Sequence, residues 1–262
     1  SKYTPKKSHS SFLSKFRGKN PNLHGIKLVT FDATNTLLKF RIPPWQFYTI
    51  IARDHGFKGS PDDVKTKMKD NFRMMWEKHP NFGRNTIAWE GWWRQLVELT
   101  LKDHLPSRAD VGTLADTLIN EYKTKRCWCT ADGVDNIIQS LRGQRVIVGI
   151  ISNFDPRLDD ILKNLSLHKN FEFILTSYQS GHSKPDKRIF EHALKLCKEP
   201  VKPSESLHIG DDYHKDYEGA RGAGWHALLV TSNIPEKPPA KGHVFNNLEE
   251  LSLAIEQQTL KL

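Results

Sequence analysis

A continuous apolar run at residues 146–151 is the feature that most constrains the fold of this 262-residue chain. Six residues without a polar side chain, rich in β-branched types, indicate a strand that is buried on both faces. Such strands belong to parallel sheets that are covered by helices. Related runs occupy residues 28–31, 171–175, 206–209 and 225–230, and helical patterns lie between most of them. The sequence therefore predicts an α/β fold with a parallel sheet.

A long helical region interrupts this alternation directly after the first strand. Pro44 suits the first turn of one helix, while Ser60, Pro61 and Asp63 form the N-cap, first-turn and capping-box pattern of a second. Apolar residues at helical spacing predict two more helices before residue 125. We expect a core made of residues 26–40 and 130–262 and a four-helix module at residues 41–129, preceded by a basic tail at residues 1–25.

Charge and cysteine content narrow the partners and the compartment. Residues 1–25 hold six of the lysines and arginines and no acid, so the formal net charge of +9 is concentrated there. Such a tail is typical of a flexible leader, and it is also compatible with a transit peptide or an arm that touches RNA or anionic lipid. The rest of the chain is only mildly basic, so nucleic acid is not the expected partner. We predict no membrane insertion, because no run of eighteen apolar residues occurs.

Three sparse cysteines favour a reducing compartment. The expected location is therefore the cytoplasm, and the tail leaves a mitochondrial or nuclear location as the alternative. Two of the cysteines, Cys127 and Cys129, have the spacing of half a metal site, but no second pair follows them.

Polar side chains follow the predicted strands where each strand ends. Because parallel strands end at one edge of a sheet, these side chains are expected to converge in one crevice. They supply a carboxylate, a hydroxyl and amide pair, a lysine and an acidic cluster of the kind that Mg²⁺ prefers. In chain order they are Asp32 and Thr36, Ser152 and Asn153, Lys184, and Asp211 and Asp216.

With these motifs in this order, the chain resembles the haloacid dehalogenase superfamily, in which a Rossmann-like core carries an inserted helical cap. The resemblance spans residues 26–262. It implies that Asp32 attacks phosphorus and forms an aspartyl-phosphate, and that Ser152, Asn153 and Lys184 hold the phosphoryl group. It also implies a Mg²⁺ site made of Asp32, Asp211, Asp216 and the backbone carbonyl of Thr34. A small phosphorylated metabolite is the substrate that this chemistry implies.

Thr34 departs from the family pattern, which usually has a second aspartate at that position. The aspartate protonates the leaving group and later activates water, and a threonine cannot replace it in acid–base chemistry. Three interpretations stay open: a slow or narrowly specific Mg²⁺-dependent phosphatase, a weak or inactive relative that binds a phosphorylated ligand or a protein, and a 2-haloacid dehalogenase. The acidic cluster favours the first over the third.

Substrate choice is expected to lie in the helical module. Its aromatic residues more often form a core than a substrate pocket. Arg84, next to a probable turn, is the cationic residue that we predict meets a phosphate, although an ordinary surface position is as compatible with the sequence. His214 lies inside the last motif and is a candidate for the missing acid. The aromatic set is Trp76, Phe82, Trp89, Trp92 and Trp93.

Overall fold

The computed structural model describes Leu23 and residues 25–233 and 235–262, so the predicted tail lies almost wholly outside the described residues. Six parallel strands form the main sheet in the order β5-β4-β1-β6-β7-β8. They are β1 (Leu28–Phe31), β4 (Ile147–Ser152), β5 (Phe173–Thr176), β6 (Ser206–Gly210), β7 (His226–Val230) and β8 (Val244–Phe245). The predicted α/β fold with a parallel sheet is confirmed.

The central strand β1 shows why the sheet is parallel. All four of its residues are buried, and β4 and β6 flank it with Phe31 opposite Ile150 on one side and Ile209 on the other. Helices cover both faces, as a strand that is buried on both faces requires. They are α6 (Val134–Gly143), α7 (Leu158–Asn164), α8 (Ser177–Ser180), α9 (Lys187–Leu196), α10 (Gly219–Gly222) and α11 (Leu248–Glu256).

Two short strands that the sequence analysis missed connect the core to the helical region. They are β2 (Leu38–Phe40) and β3 (Trp128–Thr130), which pair in antiparallel fashion, with Leu38 opposite Thr130. Strands of three residues give no usable periodicity, which explains the omission. The chain between them, residues 41–127, is called the helical insertion below.

The helical insertion contains the four predicted helices and a tight turn. The helices are α1 (Pro44–Arg53), α2 (Pro61–Lys78), α4 (Ala88–Leu101) and α5 (Val111–Glu121), and the turn is the short helical segment α3 (Pro80–Gly83). The predicted capping box of α2 is present, because the Ser60 hydroxyl accepts from the Asp63 N–H at 3.1 Å and the Asp63 carboxylate accepts from the Ser60 N–H at 3.2 Å. Whether the insertion is a separate domain stays a prediction.

Candidate functional site

Three aspartates meet at the carboxyl ends of β1 and β6. Asp32 follows β1, Asp211 follows β6, and Asp216 lies in the wide helical turn Tyr213–Glu218. One oxygen from each carboxylate lies within 4.8 Å of the other two. Gly210 permits this approach, because a Cβ at that position would come within 2.2 Å of the Asp216 carboxylate carbon. The predicted convergence of strand ends is therefore present for these residues.

Lys184 joins two of the three carboxylates. Its ammonium group donates to Asp32 Oδ1 at 2.9 Å and to Asp216 Oδ1 at 2.6 Å, and also to the Ile151 carbonyl at 2.9 Å. Burial by itself would lower the pKa of Lys184, but the carboxylates of Asp216 and Asp32 outweigh this effect and raise the pKa above its usual value. Lys184 is therefore a permanent cation at the floor of the site.

Asp216 is held from several sides. Its Oδ1 accepts from Lys184 and faces His208 Nε2 at 2.8 Å, and its Oδ2 accepts from the Asp212 N–H at 3.1 Å. Because a carboxylate only accepts, His208 carries its proton on Nε2, and its Nδ1 then accepts from the Thr30 hydroxyl at 2.8 Å. Burial would raise the pKa of Asp216, but Lys184 and His208 hold it below its usual range. Asp216 is thus ionised and has little freedom to move.

Asp211 is in the opposite electrostatic situation. Burial raises its pKa to about 8, and the nearby carboxylates of Asp32 and Asp216 add to the increase. Three carboxylates with one ammonium group leave the cluster with too much negative charge. A divalent cation would remove this excess, and the carboxylate oxygens are the donors that Mg²⁺ prefers. The side chains present therefore fit a Mg²⁺ ion.

These side chains line a pocket of about 210 Å³, called the strand-end pocket here. Ser152 lines it and is 1% exposed. Asn153 lines it too, but its side chain is engaged, because Oδ1 accepts from the Lys184 N–H at 2.8 Å and Nδ2 donates to the Lys184 carbonyl at 3.0 Å. Asn153 therefore fixes the loop that carries Lys184. The full lining is Asp32, Thr34, Asn35, Ser152, Asn153, Lys184, Asp211, Asp212, Lys215 and Asp216.

Three further predicted residues lie in different places. Thr36 is buried beside the three aspartates, and its hydroxyl donates to Asp211 Oδ1 at 3.4 Å. Arg84 does not line the strand-end pocket; its Nε donates to the Tyr178 carbonyl at 2.6 Å, which ties the helical insertion to α8. His214 is exposed and pairs with Glu218 at 3.0 Å, outside that pocket. The structure thus brings neither Arg84 nor His214 to the acids.

A second cavity, called the apolar chamber here, lies between the helical insertion and the core. Its volume is about 290 Å³. It shares Thr34 and Asn153 with the strand-end pocket, so the two spaces adjoin. Its remaining walls are Phe40, Pro44, Tyr48, Met68, Phe72, Phe82, Trp93, Leu96, Leu118, Ile119, Tyr122, Trp128, Phe154, Asp155 and Arg157.

The aromatic set of the helical insertion is divided between two roles. Trp92 and Phe82 are buried in a cluster with Met75 and Leu96, which makes them part of the insertion's own core. Phe82 and Trp93 also line the apolar chamber. The core interpretation therefore holds for Trp92, whereas Trp93 faces the space beside the acids.

Asp155 and Arg157 form a buried ion pair to which the sequence analysis gave no role. Arg157 is bidentate on Asp155, with its Nε and a terminal nitrogen at 2.9 and 2.8 Å, and it also donates to the Ile119 carbonyl at 2.9 Å. Trp93 Nε1 donates to Asp155 Oδ2 at 2.8 Å. These bonds link the insertion to the core. Asp155 follows Ser152 closely in sequence, but its partner Trp93 lies 62 residues away and the Ile119 carbonyl that Arg157 contacts lies 38 residues away, so only a structure reveals these partners.

Asp212 and Lys215, which also line the strand-end pocket, were missed as well. The Asp212 side chain accepts from the Lys215 N–H at 2.8 Å and so caps the helical turn that carries Asp216. Both residues lie inside the last sequence motif, which was the available signal.

None of the helices in the described part of the chain combines the length and the apolar character that a membrane span needs.

The fold and the acidic site define an α/β protein with a strand-end carboxylate in a cluster of three aspartates, and comparisons with known proteins agree. The family model for haloacid dehalogenase-like hydrolases matches residues 26–224. The rhythmically expressed gene 2 protein of Drosophila melanogaster is 36% identical over 219 residues, which cover 80% of this chain and 84% of that protein. Human haloacid dehalogenase-like hydrolase domain-containing protein 3 is 32% identical over 240 residues, 88% of this chain and 94% of its own.

Solved structures share the fold at lower identity. A HAD-hydrolase of Bacillus subtilis bound to magnesium matches with a TM-score of 0.69 and 19% identity, over 88% of this chain and 99% of that chain. Other matching structures include both a phosphatase and a dehalogenase. The chain belongs to the haloacid dehalogenase-like hydrolase family.

Proposed function

We propose that this hydrolase is a Mg²⁺-dependent phosphomonoesterase that works through an aspartyl-phosphate on Asp32. The observation that carries the proposal is the surplus of negative charge at the cluster of Asp32, Asp211 and Asp216, expressed in the raised pKa of Asp211. Attack of a carboxylate on carbon gives no reason to gather two further carboxylates around the nucleophile. Transfer of a phosphoryl group does, because the site must hold a metal ion and a dianion together.

Asp32 is the nucleophile in this proposal. It lies at the end of the buried strand β1, its side chain is 13% exposed, and Lys184 fixes its Oδ1. A fixed carboxylate loses little entropy when it attacks, which lowers the barrier. Lys184 would also contact the transferring group, and Ser152 would add a hydroxyl from the end of β4. Asn153 would act through the loop of Lys184, since both ends of its amide are bonded there.

Asp32, Asp211, Asp216 and the backbone carbonyl of Thr34 would hold the metal ion. Asp216 would also keep Lys184 in place through Oδ1, while its Oδ2 accepts one hydrogen bond, from the Asp212 N–H, and keeps a lone pair for the metal ion. Bound Mg²⁺ supplies charge neutralisation for the phosphoryl group and its nucleophile.

Thr34 makes turnover slow or selective. A threonine at this position provides no carboxyl group that could protonate a leaving alkoxide or activate the water that cleaves the aspartyl-phosphate. Losing such a group typically costs about 10²–10⁴-fold in rate. The second candidate, a phospho-ligand binding protein with little turnover, rests on this same residue.

Phosphate release from a panel of phosphomonoesters with Mg²⁺ tests the proposal on the native chain, Asp32→Asn and Thr34→Asp. Activity in the native chain that disappears in Asp32→Asn is the expected result. Activity that appears only in Thr34→Asp would favour the binding function. Activity that survives in Asp32→Asn would contradict the proposed nucleophile.

A further inference from the structure

The apolar chamber restricts the kind of leaving group that a substrate can carry, whereas the strand-end pocket surrounds only the phosphoryl group. A leaving group that departs from a phosphoryl group near Asp32 has to occupy space beside Thr34 and Asn153. These two residues belong to both cavities, so the chamber is the adjoining space on that side. At the roughly 30 Å³ that one water occupies in the liquid, 290 Å³ holds about ten non-hydrogen atoms. That is the size of one or two fused rings.

The free polar groups on the chamber walls are few, and they are mainly the hydroxyls of Thr34, Tyr48 and Tyr122, of which the Tyr122 hydroxyl has no hydrogen-bond partner among the described residues. The chamber's only charged lining residues in the described part of the chain are Asp155 and Arg157, which are 0% and 5% exposed and neutralise each other at 2.8 Å. The Arg157 guanidinium is further covered by the rings of Trp89 and Trp93, at 5.3 and 5.1 Å. A sugar or a second phosphate in this space would give up more hydrogen bonds to water than these few hydroxyls can replace, which is costly.

Aromatic rings make up much of the wall, and neighbouring rings meet both face to face and edge to face. Phe82 stacks on Trp93 with ring centroids 5.9 Å apart, whereas Tyr122 meets Tyr48 edge to face at 6.0 Å. Such surfaces accept a flat ring with favourable edge and face contacts. The shape and chemistry of the chamber therefore favour an uncharged aromatic body.

The lack of a strong proton donor leads to the same class by a separate argument. The chamber's one carboxylate, Asp155, is held by Arg157 and Trp93, and Thr34 has only a hydroxyl. Tyr48 and Tyr122 also line the chamber, but burial raises the pKa of both phenol groups and makes them poor proton donors. A leaving alkoxide needs a proton as it departs. A phenolate does not, because phenols ionise near pH 10. The residues around the leaving group are therefore sufficient for a phenol and insufficient for an aliphatic alcohol.

We propose that the substrates of this enzyme are aryl phosphate monoesters whose uncharged aromatic group occupies the apolar chamber, an inference that rests on the proposed phosphatase function. The Asp32 carboxylate forms the new bond to phosphorus as the bond from phosphorus to the aryl oxygen breaks. The phenolate departs with the electron pair and takes a proton from water. Water then cleaves the aspartyl-phosphate, so the balance is one ester and one water giving a phenol and phosphate.

Rates measured with four phosphate esters test the two arguments separately, one from the apolar lining of the chamber and one from the lack of a strong proton donor. We expect kcat/KM for 2-naphthyl phosphate to exceed that for glucose 6-phosphate by about 100-fold, the value of burying one aromatic body. 4-Carboxyphenyl phosphate, which adds a charge to the ring, should be at least about tenfold worse than 2-naphthyl phosphate. Hexyl phosphate should bind but turn over slowly. Equal rates for the naphthyl and sugar esters would overturn the proposal.

Substitution of a chamber residue provides the second test. Met68 lines the chamber and is only half-buried, so Met68→Glu adds a charge to the wall with little risk to folding. Met74, on the same helix but 38% exposed and outside the chamber, gives the matched control Met74→Glu. We expect Met68→Glu to lower kcat/KM for 2-naphthyl phosphate about tenfold or more, and we expect Met74→Glu to leave it unchanged. Equal losses in Met68→Glu and Met74→Glu would contradict the chamber assignment.

Two controls separate failure of this inference from failure of the proposed function. Acetyl phosphate has a good leaving group that is too small to need the chamber, so Met68→Glu should lower its hydrolysis much less than that of 2-naphthyl phosphate. No hydrolysis of acetyl phosphate or any ester would reject the phosphatase function itself. Binding of 2-naphthyl phosphonate, measured by calorimetry, needs no turnover; it should weaken about tenfold in Met68→Glu. Unchanged binding would reject the chamber as the aryl site.

Discussion

Replacing Asp211 by asparagine tests the electrostatic account of the site without any substrate. Without a metal ion, Asp211 has a pKa of about 8 in the folded protein against an ordinary value of 3.8. Between pH 5 and pH 8 the folded chain therefore holds a proton that the unfolded chain has released. Stability falls with rising pH wherever the folded state binds more protons. The free energy of unfolding of the native chain should decrease across this window, and the contribution from Asp211 to this decrease should be absent in Asp211→Asn.

The magnitude follows from the width of the window. Three pH units at about 1.4 kcal/mol each give an upper bound of roughly 4 kcal/mol. Asp211 is partly exposed, so solvent screening should reduce this to about 2 kcal/mol, or roughly 4–8 °C in Tm. Titrating groups that do not interact with this cluster are common to both chains and cancel in the comparison.

Urea unfolding in EDTA, at pH 5 and at pH 8, measures this difference. Between pH 5 and pH 8, the free energy of unfolding of Asp211→Asn should rise by about 2 kcal/mol relative to that of the native chain. At pH 8, Mg²⁺ should then stabilise the native chain more than Asp211→Asn, because only the native site regains its cation. An identical pH dependence in the two chains would refute the reasoning, since Asp211 would then be ionised in the folded state throughout.

Three further predictions concern the groups around the site. Arg157→Met should cost about 3–5 kcal/mol in free energy of unfolding by urea titration, because it leaves Asp155 buried without a counter-ion; a loss below 1 kcal/mol would contradict this role. Asn153→Ala should cost about 1–3 kcal/mol and should lower kcat more than it raises KM, since the loop of Lys184 loses both hydrogen bonds; an unchanged kcat would show that the loop holds without them. Burial raises the pKa of the Cys127 thiol to about 12, so this thiol should stay unmodified by iodoacetamide at pH 8 in the folded protein, as read by peptide mass mapping. Rapid labelling of Cys127 would contradict its burial.

Most of the core was predictable because its signals are local in sequence. The apolar strand Ile147–Ser152 and the strand-end residues Asp32, Lys184 and Asp211 each stand out within a few positions. The elements that were missed depend on distant partners. Leu38–Phe40 and Trp128–Thr130 form an antiparallel pair with only three residues in each strand, which is too short for a pattern in either segment to predict the pairing.

The site beyond the motifs was harder to predict for the same reason. Asp155, Arg157 and Trp93 look like ordinary residues until the fold brings them together. Arg84 was expected near an anion, and its contact with the Tyr178 carbonyl arises from a turn in which Asn81 and Phe82 have φ values of 53° and 55°. Two adjacent left-handed residues that are not glycine cannot be anticipated from propensity.

The most direct test of the central claim is to trap phosphate on Asp32. The chain is mixed with radiolabelled acetyl phosphate and Mg²⁺, quenched in acid and digested to locate the label. We expect label on Asp32 that accumulates in the native chain, because Thr34 cannot activate the water that would remove it, and a lower steady-state level in Thr34→Asp. Asp32→Asn should carry none. Absence of label in both the native chain and Thr34→Asp would contradict the claim that Asp32 accepts a phosphoryl group.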